Sequence, residues 1–117
     1  MTWIYGIKQC STMQKAFAWL DAQGVTYTFH DYKKLGIDID TLRCWAKQAG
    51  WEALLNMRGT TWRKLADDER ADLDEEKAIH LMQTHTSVIR RPIIAVGETL
   101  LIGFDATRYS ETLKGQP

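Results

Sequence analysis

The sequence is poor in the residues that define several classes of protein. It has two cysteines and two prolines among 117 residues, and no apolar run approaches the ~20 residues that span a bilayer. Two cysteines cannot build a disulfide framework, and no cysteine–histidine cluster has the spacing of a zinc site. The 15 basic residues balance the 15 acidic ones, unlike the composition of a general nucleic-acid binder. We therefore expect a metal-free cytoplasmic protein, without a signal peptide, that contacts neither nucleic acid nor membrane directly.

The first third of the chain has the apolar periodicity of a strand, a helix and a second strand. Thr2–Ile7 reads as a strand, and Ser11–Gln23 reads as a helix that Gly24 stops. Val25–Tyr32 then alternates between apolar and polar residues, as a half-buried strand does. A strand–helix–strand order favours two parallel strands joined by a right-handed crossover.

The rest of the chain is first helical and then returns to strands. Helices are predicted from a cap at Asp40 to Ala49, at Trp51–Leu55, at Thr60–Leu65, and from a cap at Asp74 to about His85. The run "RPIIAVGETLLIG" predicts a hairpin, Asp105 caps a last helix, and Lys114 to Pro117 form a loose tail. The order predicts one α/β domain over residues 1–117. Its fold is thioredoxin-like, a mixed sheet with flanking helices and an all-helical insertion at about 38–88.

Cys10 lies at the junction of the first strand and the first helix, which is where open α/β sheets place their sites. Unsatisfied N–H groups at a helix N-terminus favour a thiolate over a thiol, and Lys8 adds positive charge nearby. We therefore predict that Cys10 is a nucleophile, with Lys8 and Gln9 among the binding residues. The alternative is an inert cysteine near a helix cap.

A second cysteine is missing where a C-x-x-C redox pair would have one. The motif is "CSTM", so Met13 occupies that position and Cys10 cannot form the local disulfide. The natural alternative is a monothiol cycle that an external thiol such as glutathione resolves. Cys44 lies about 200° around its predicted helix from Leu42, which indicates an exposed or interface position without a redox partner.

Three further stretches contain candidates for binding an anion. In "IRRPII" Pro92 suits the start of a strand, and Arg91 before it offers a guanidinium; the alternative is a solvated pair with Arg90. In "IGFDATRY" the turn from Gly103 to Asp105 opens a helix whose N–H groups attract a carboxylate such as that of a γ-glutamyl group. A plain strand–turn–helix link remains the alternative there. In "LLNMRGTTWRKL" Arg58 precedes a cap at Thr60 and is either a lid residue or an ordinary surface arginine.

These motifs, taken in order, resemble the ArsC-related (arsenate reductase-like) family. The stretches "YGIKQCSTMQKAFAWL", "YTFHDYKKLGI", "LLNMRGTTWRKL" and "RRPII…LLIGFDATRY" are most similar to its YffB-type branch, which is related to the Spx-type regulators. The resemblance covers essentially the whole chain. It implies a thioredoxin-like fold with a helical insertion and a cis peptide before Pro92.

The resemblance also implies roles for single residues. Cys10 matches the family's catalytic cysteine, and Arg91 matches an arginine that binds an oxyanion. Arg58 falls near a second active-site arginine, whereas Arg108 lies past the expected third. The family's enzymes carry a histidine a few residues before the cysteine, where this chain has Gly6, which argues against arsenate as the substrate.

The function that these residues predict is that of a monomeric, glutathione-dependent thiol reductase. Cys10 and Arg91 are the catalytic candidates. The residues predicted to bind glutathione or substrate are Lys8, Gln9, Arg58, Arg91, Pro92, Gly103 and Asp105. The partners are glutathione, as thiol co-substrate, and a small-molecule or protein disulfide. The alternatives are a genuine arsenate reductase and an Spx-like regulator that binds the C-terminal domain of the RNA polymerase α subunit.

Overall fold

The computed structural model describes residues 1–113 and divides into two compact units. The sheet unit comprises residues 1–35 together with the chain from Arg91 onward, and the helical unit comprises Gly36–Arg90. The loose tail predicted at 114–117 lies outside the described residues. The helices are α1 (Ser11–Ala22), α2 (Tyr32–Leu35), α3 (Ile39–Ala49), α4 (Trp51–Leu54), α5 (Thr60–Lys64), α6 (Asp67–Arg70), α7 (Glu75–Thr84) and α8 (Ala106–Leu113). None of the helices in this part of the chain is long and apolar enough to cross a membrane.

The sheet unit is built on a four-stranded mixed sheet with the strand order β2-β1-β3-β4. The strands are β1 (Thr2–Gly6), β2 (Thr28–Asp31), β3 (Ile93–Val96) and β4 (Thr99–Ile102). β1 runs parallel to β2 and antiparallel to β3, and β3 runs antiparallel to β4. The α/β class, the thioredoxin-like mixed sheet and the β3–β4 hairpin are therefore confirmed.

One edge of this sheet gathers the segments that the sequence singled out. Because of the strand directions, the carboxyl ends of β1, β2 and β4 lie at the same edge as the amino end of β3. Cys10 follows β1 at this edge, and we call it the Cys10 edge. Arg91 and Pro92 enter β3 there, and Gly103 leaves β4 there. The topology thus places the predicted nucleophile and two predicted binding segments side by side.

The sheet is covered on one face by an apolar cluster that includes α1 and α8. Met13, Ala16 and Leu20 recur at helical spacing on α1 and are fully buried against Ile4 of β1. The cluster also contains Ile94 of β3, Leu101 of β4, and Tyr109 and Leu113 of α8. This packing fixes the start of α1, and with it the position of Cys10, on the sheet.

Two helix caps in the helical unit differ from the prediction. Asp38 rather than Asp40 caps α3, since the Asp38 carboxylate accepts the Thr41 N–H at 2.7 Å and Asp40 lies within the first turn. Gly59 rather than Thr60 is the N-cap of α5. The predicted cap at Asp74 is confirmed. α3 also packs on α7, where Arg43 and Glu76 form an exposed ion pair at 2.9 Å.

Candidate active site

Cys10 is itself the N-cap residue of α1, with an extended backbone at φ −151° and ψ 128°. Its N–H donates to the Lys8 carbonyl oxygen at 3.2 Å, and its carbonyl oxygen accepts the Gln14 N–H at 3.0 Å. The Gln14 side chain donates to the same Lys8 carbonyl oxygen at 2.7 Å. Sequence reasoning missed this role of Gln14, which ties the loop before Cys10 to the first turn of α1.

The environment of the Cys10 sulfur stabilises a thiolate. Burial raises the pKa of the thiol, but the Met13 N–H, the Arg91 guanidinium and the Thr12 N–H outweigh burial and hold the pKa below its ordinary value. Thr12 and Met13 are the two positions whose N–H groups an N-cap side chain normally accepts. The sulfur makes no cap hydrogen bond of regular geometry. The N–H groups therefore act mainly by their electrostatic field, which favours the negative sulfur.

The positive charge that acts most on the thiol is that of Arg91 rather than that of Lys8. The Arg91 guanidinium both donates to the Cys10 sulfur and attracts its charge. Arg91 precedes Pro92 through a cis peptide bond, as the resemblance implied, and Pro92 is buried. The structure therefore brings Cys10 and Arg91, two distant positions in the sequence, close enough for the guanidinium to lower the pKa of the thiol.

The turn after β4 is fixed to the segment that holds Arg91. The Gly103 N–H donates to the Pro92 carbonyl oxygen at 2.8 Å, and the buried Tyr109 hydroxyl donates to the Gly103 carbonyl oxygen at 2.6 Å. Gly103 has φ +79°, a left-handed conformation that favours glycine. Asp105 caps α8 as predicted, accepting the Arg108 N–H at 3.2 Å.

Met13 fills the space next to Gly6, although the sequence gives no reason to pair these two residues. A Cβ atom at Gly6 would lie 2.4 Å from the Met13 Sδ atom, and Met13 is fully buried. The residue that replaces the second cysteine of a redox pair would therefore have to move to admit a side chain at position 6.

We predict that Gly6→Ala lowers the free energy of unfolding by roughly 1–3 kcal/mol, because it overpacks the site against Met13. Urea denaturation of both proteins measures this difference. In a Met13→Ala background, which removes the Cγ, Sδ and Cε atoms nearest to the new methyl group, the same substitution costs less. An equal cost in both backgrounds would show that Met13 is not the obstacle.

The remaining predicted binding residues and Cys44 are exposed, and they lie on different segments of the chain. Lys8 and Gln9 are exposed and directly precede it. Arg58 is exposed in the helical unit, where its N–H donates to the Asn56 side-chain oxygen at 3.1 Å, and its role as a lid residue stays a prediction. Cys44 is exposed and accepts a hydrogen bond from the Gln48 side chain at 3.5 Å.

Sequence reasoning missed the polar residues that follow β2. Asp31 is the Cα partner of Gly6 in the parallel register and is only 9% exposed. Its carboxylate accepts the Lys33 N–H at 2.9 Å. A pocket of about 230 Å³ at this point is lined by Lys8, Gln9, Asp31, Lys33 and Lys34. The available signal was the pair of lysines just after a strand that ends at the same edge as Cys10. Within residues 1–113, no cluster of histidine, cysteine, aspartate or glutamate could hold a metal ion.

Comparison with known proteins assigns the chain to a family. A solved structure called YFFB (PA3664) protein is 49% identical, superposes with a TM-score of 0.94, and is covered over 99% of its length by 97% of this chain. An arsenate reductase (ArsC) related protein from Brucella melitensis is 45% identical with a TM-score of 0.75, over 95% of this chain and 92% of that one.

Sequence relatives extend the same comparison. An uncharacterized protein of Haemophilus influenzae is 38% identical over 93% of this chain and 96% of its own length. The global transcriptional regulator Spx of Staphylococcus saprophyticus is 26% identical over 90% of this chain and 81% of its own. The model of the ArsC family matches residues 5–112, and the chain therefore belongs to the ArsC family.

Proposed function

We propose that this chain is a glutathione-dependent thiol reductase of the cytoplasm that works through a single nucleophilic cysteine. The observation that carries the proposal is the contact between the Cys10 sulfur and the Arg91 guanidinium at the start of α1, where the pKa of the thiol is lowered despite burial. A lowered pKa makes the thiolate available at neutral pH, and the thiolate is the form that attacks disulfides.

The reaction cycle needs an external thiol because Met13 cannot serve as a second cysteine. The Cys10 thiolate attacks the glutathione sulfur of a mixed disulfide, the substrate disulfide bond breaks, and the substrate leaves as a thiolate. A second glutathione thiolate then attacks the glutathione sulfur bound to Cys10. Glutathione disulfide leaves, and Cys10 returns to the thiolate form. The net reaction converts one mixed disulfide and one free glutathione into the substrate thiol and glutathione disulfide, so the glutathione half of the substrate leaves as part of that product.

We assign glutathione to the segments around Arg91 at the Cys10 edge. The guanidinium of Arg91 and the turn from Gly103 to Asp105 offer partners for its carboxylates, and the Gly103–Pro92 hydrogen bond fixes the turn next to Arg91. We also assign glutathione binding to Pro92, Lys8 and Gln9 near Cys10. Arg58 remains the proposed lid residue.

The rate at which Cys10 is alkylated, measured across pH, tests the proposal directly. We predict that the thiol titrates clearly below the ~8.5 of an ordinary cysteine and that glutathione disulfide protects it from iodoacetamide. The Cys44→Ser variant leaves Cys10 as the only reactive thiol in this measurement. An unshifted Cys10 pKa, or alkylation at the same rate with and without glutathione disulfide, contradicts the proposed reductase activity.

An Spx-like regulator is the second candidate, and the similarity to the Spx protein of Staphylococcus saprophyticus favours it. This candidate predicts that the C-terminal domain of the RNA polymerase α subunit binds the chain equally well when Cys10 is replaced by serine. Arsenate reduction is the third candidate. The occupied space beside Gly6, where the family's enzymes carry a histidine, argues against it, and an assay with arsenate as oxidant decides it.

A further inference from the structure

The lysine-lined pocket at the Cys10 edge has a size and a charge that restrict the groups it can hold. Its volume of about 230 Å³ suits a group of a few atoms rather than a whole peptide. Three of its five lining residues are lysines and one is an aspartate, so positive charge predominates. The pocket therefore favours a small anionic group.

The sheet order fixes the side of Cys10 on which this pocket lies. β1, which leads to Cys10, has β2 on one side and β3, followed by β4, on the other. Asp31 ends β2, and Lys33 follows it, whereas Arg91 and Gly103 belong to the β3 and β4 side. The β2 wall of the pocket, with Asp31, Lys33 and Lys34, and the β3–β4 segments proposed to hold glutathione consequently flank the nucleophile from opposite sides. Lys8 and Gln9, which directly precede Cys10, belong to both.

The walls of the pocket are held by hydrogen bonds, and its lysines are exposed to solvent. The nearly buried Asp31 carboxylate accepts the Lys33 N–H at 2.9 Å, and the Lys8 carbonyl oxygen accepts both the Cys10 N–H and the Gln14 side chain. Lys33 and Lys34 are exposed. Their ammonium groups can thus meet an incoming anion without losing an existing buried contact.

We propose that this pocket binds the carboxylate of the departing thiol, so that the preferred substrates are glutathione mixed disulfides of small acidic thiols. The proposal rests on the proposed function for the glutathione half. When the Cys10 sulfur bonds to the glutathione sulfur, the disulfide bond breaks and its electron pair goes to the sulfur of the acidic thiol. The lysines stabilise both the carboxylate and the new thiolate, and a better stabilised leaving thiolate leaves faster.

Three substrates with different charges on the leaving side test this proposal. They are the mixed disulfides of glutathione with 3-mercaptopropionate, with 2-mercaptoethanol and with cysteamine, which are acidic, neutral and basic on the leaving side. Each kcat/KM is divided by the rate constant of the uncatalysed exchange with glutathione, because the three leaving thiols also differ in pKa. We expect this normalised kcat/KM to fall in that order. In the Lys33→Gln/Lys34→Gln variant, the ratio of the acidic to the neutral substrate falls roughly fivefold, since each exposed charge contributes modestly.

The matched control is Lys15→Gln/Lys47→Gln, which removes two exposed lysines outside the pocket. It changes the net charge equally but keeps the acidic-to-neutral ratio. Lys8 stays in place in both variants because it also belongs to the proposed glutathione site. Equal ratios in the wild type and the Lys33→Gln/Lys34→Gln variant, or an equal fall in the control, overturn the proposal.

A second measurement separates this proposal from the proposed function. The symmetrical disulfides 3,3′-dithiodipropionate, 2-hydroxyethyl disulfide and cystamine react with Cys10 in a single step that needs no glutathione, and mass spectrometry follows the adduct. A preference for the acidic disulfide that disappears in the Lys33→Gln/Lys34→Gln variant supports the pocket even if glutathione never turns over. No charge preference in this step refutes the pocket even if glutathione does turn over.

Discussion

Replacing Cys10 with serine abolishes glutathione-dependent disulfide reduction, whereas replacing Cys44 with serine leaves most of it. A serine hydroxyl at position 10 stays protonated at neutral pH and cannot replace a thiolate as nucleophile, so we expect a loss of more than about a thousandfold. The measurement is the oxidation of NADPH coupled through glutathione reductase, with 2-hydroxyethyl disulfide as substrate. Cys44 serves as the matched control because it is exposed on α3 and has no cysteine partner, Cys10 being free.

Two outcomes would contradict this assignment. Residual activity in Cys10→Ser above that of a reaction without protein would mean that another group performs the attack. A comparable loss in Cys44→Ser would mean that Cys44 resolves the mixed disulfide, and the monothiol cycle would then be wrong. Circular dichroism of both variants shows whether the fold is retained, and both substitutions exchange only a sulfur for an oxygen.

The sequence predicted the order of the sheet unit because its signals are local. The helical periodicity of Met13, Ala16 and Leu20, the stop at Gly24 and the hairpin at Gly97 each depend on residues close together in the chain. The limits of β2 depend on its neighbour instead. β1 begins at Thr2 and pairs with β2 from Trp3, whose Cα partner is Thr28, so Val25 and Thr26 lie beyond the start of the strand that would pair with them.

The errors among the helices have local causes. The sequence "GIDIDT" offers Asp38 and Asp40 as caps of one helix, and either carboxylate suits the role. The extended backbone of Asp38 decides the choice. α2 and α6 are single turns of four residues, too short for the periodicity on which helix prediction relies.

The candidate site was predictable to the extent that each residue carries its own chemical signal. Cys10 was identified by its place between a strand and a helix, and Arg91 by its place before a proline. The contact between them depends on the antiparallel pairing of β1 with β3, which local patterns do not specify. Asp31 and the lysines after it were missed for the same reason, since they come to the Cys10 edge only through the parallel pairing of β2 with β1.

Arg91→Met is expected to raise the pKa of Cys10 and to slow disulfide reduction at pH 7 by roughly tenfold or more. The guanidinium donates to the thiolate and attracts its charge, so its removal leaves burial, which raises the pKa, opposed only by N–H groups. A raised pKa lowers the thiolate fraction at neutral pH, and the lost guanidinium also no longer holds the sulfur for attack. The alkylation rate of Cys10 across pH measures this change.

The pH dependence separates an effect on the thiol from an effect on binding. If Arg91 acts on the thiolate, the alkylation rate of Arg91→Met approaches that of the wild type as the pH rises above the pKa of the variant, because both thiols are then ionised. Arg91→Lys retains the charge without the planar donor and restores part of the pKa change. Arg90→Met, which removes the neighbouring exposed guanidinium, is the matched control and leaves the pKa of the Cys10 thiol unchanged. A slower Arg91→Met enzyme with an unchanged alkylation profile would limit Arg91 to substrate binding, and the Cys10 thiolate would then owe its stability to the N–H groups of α1 alone.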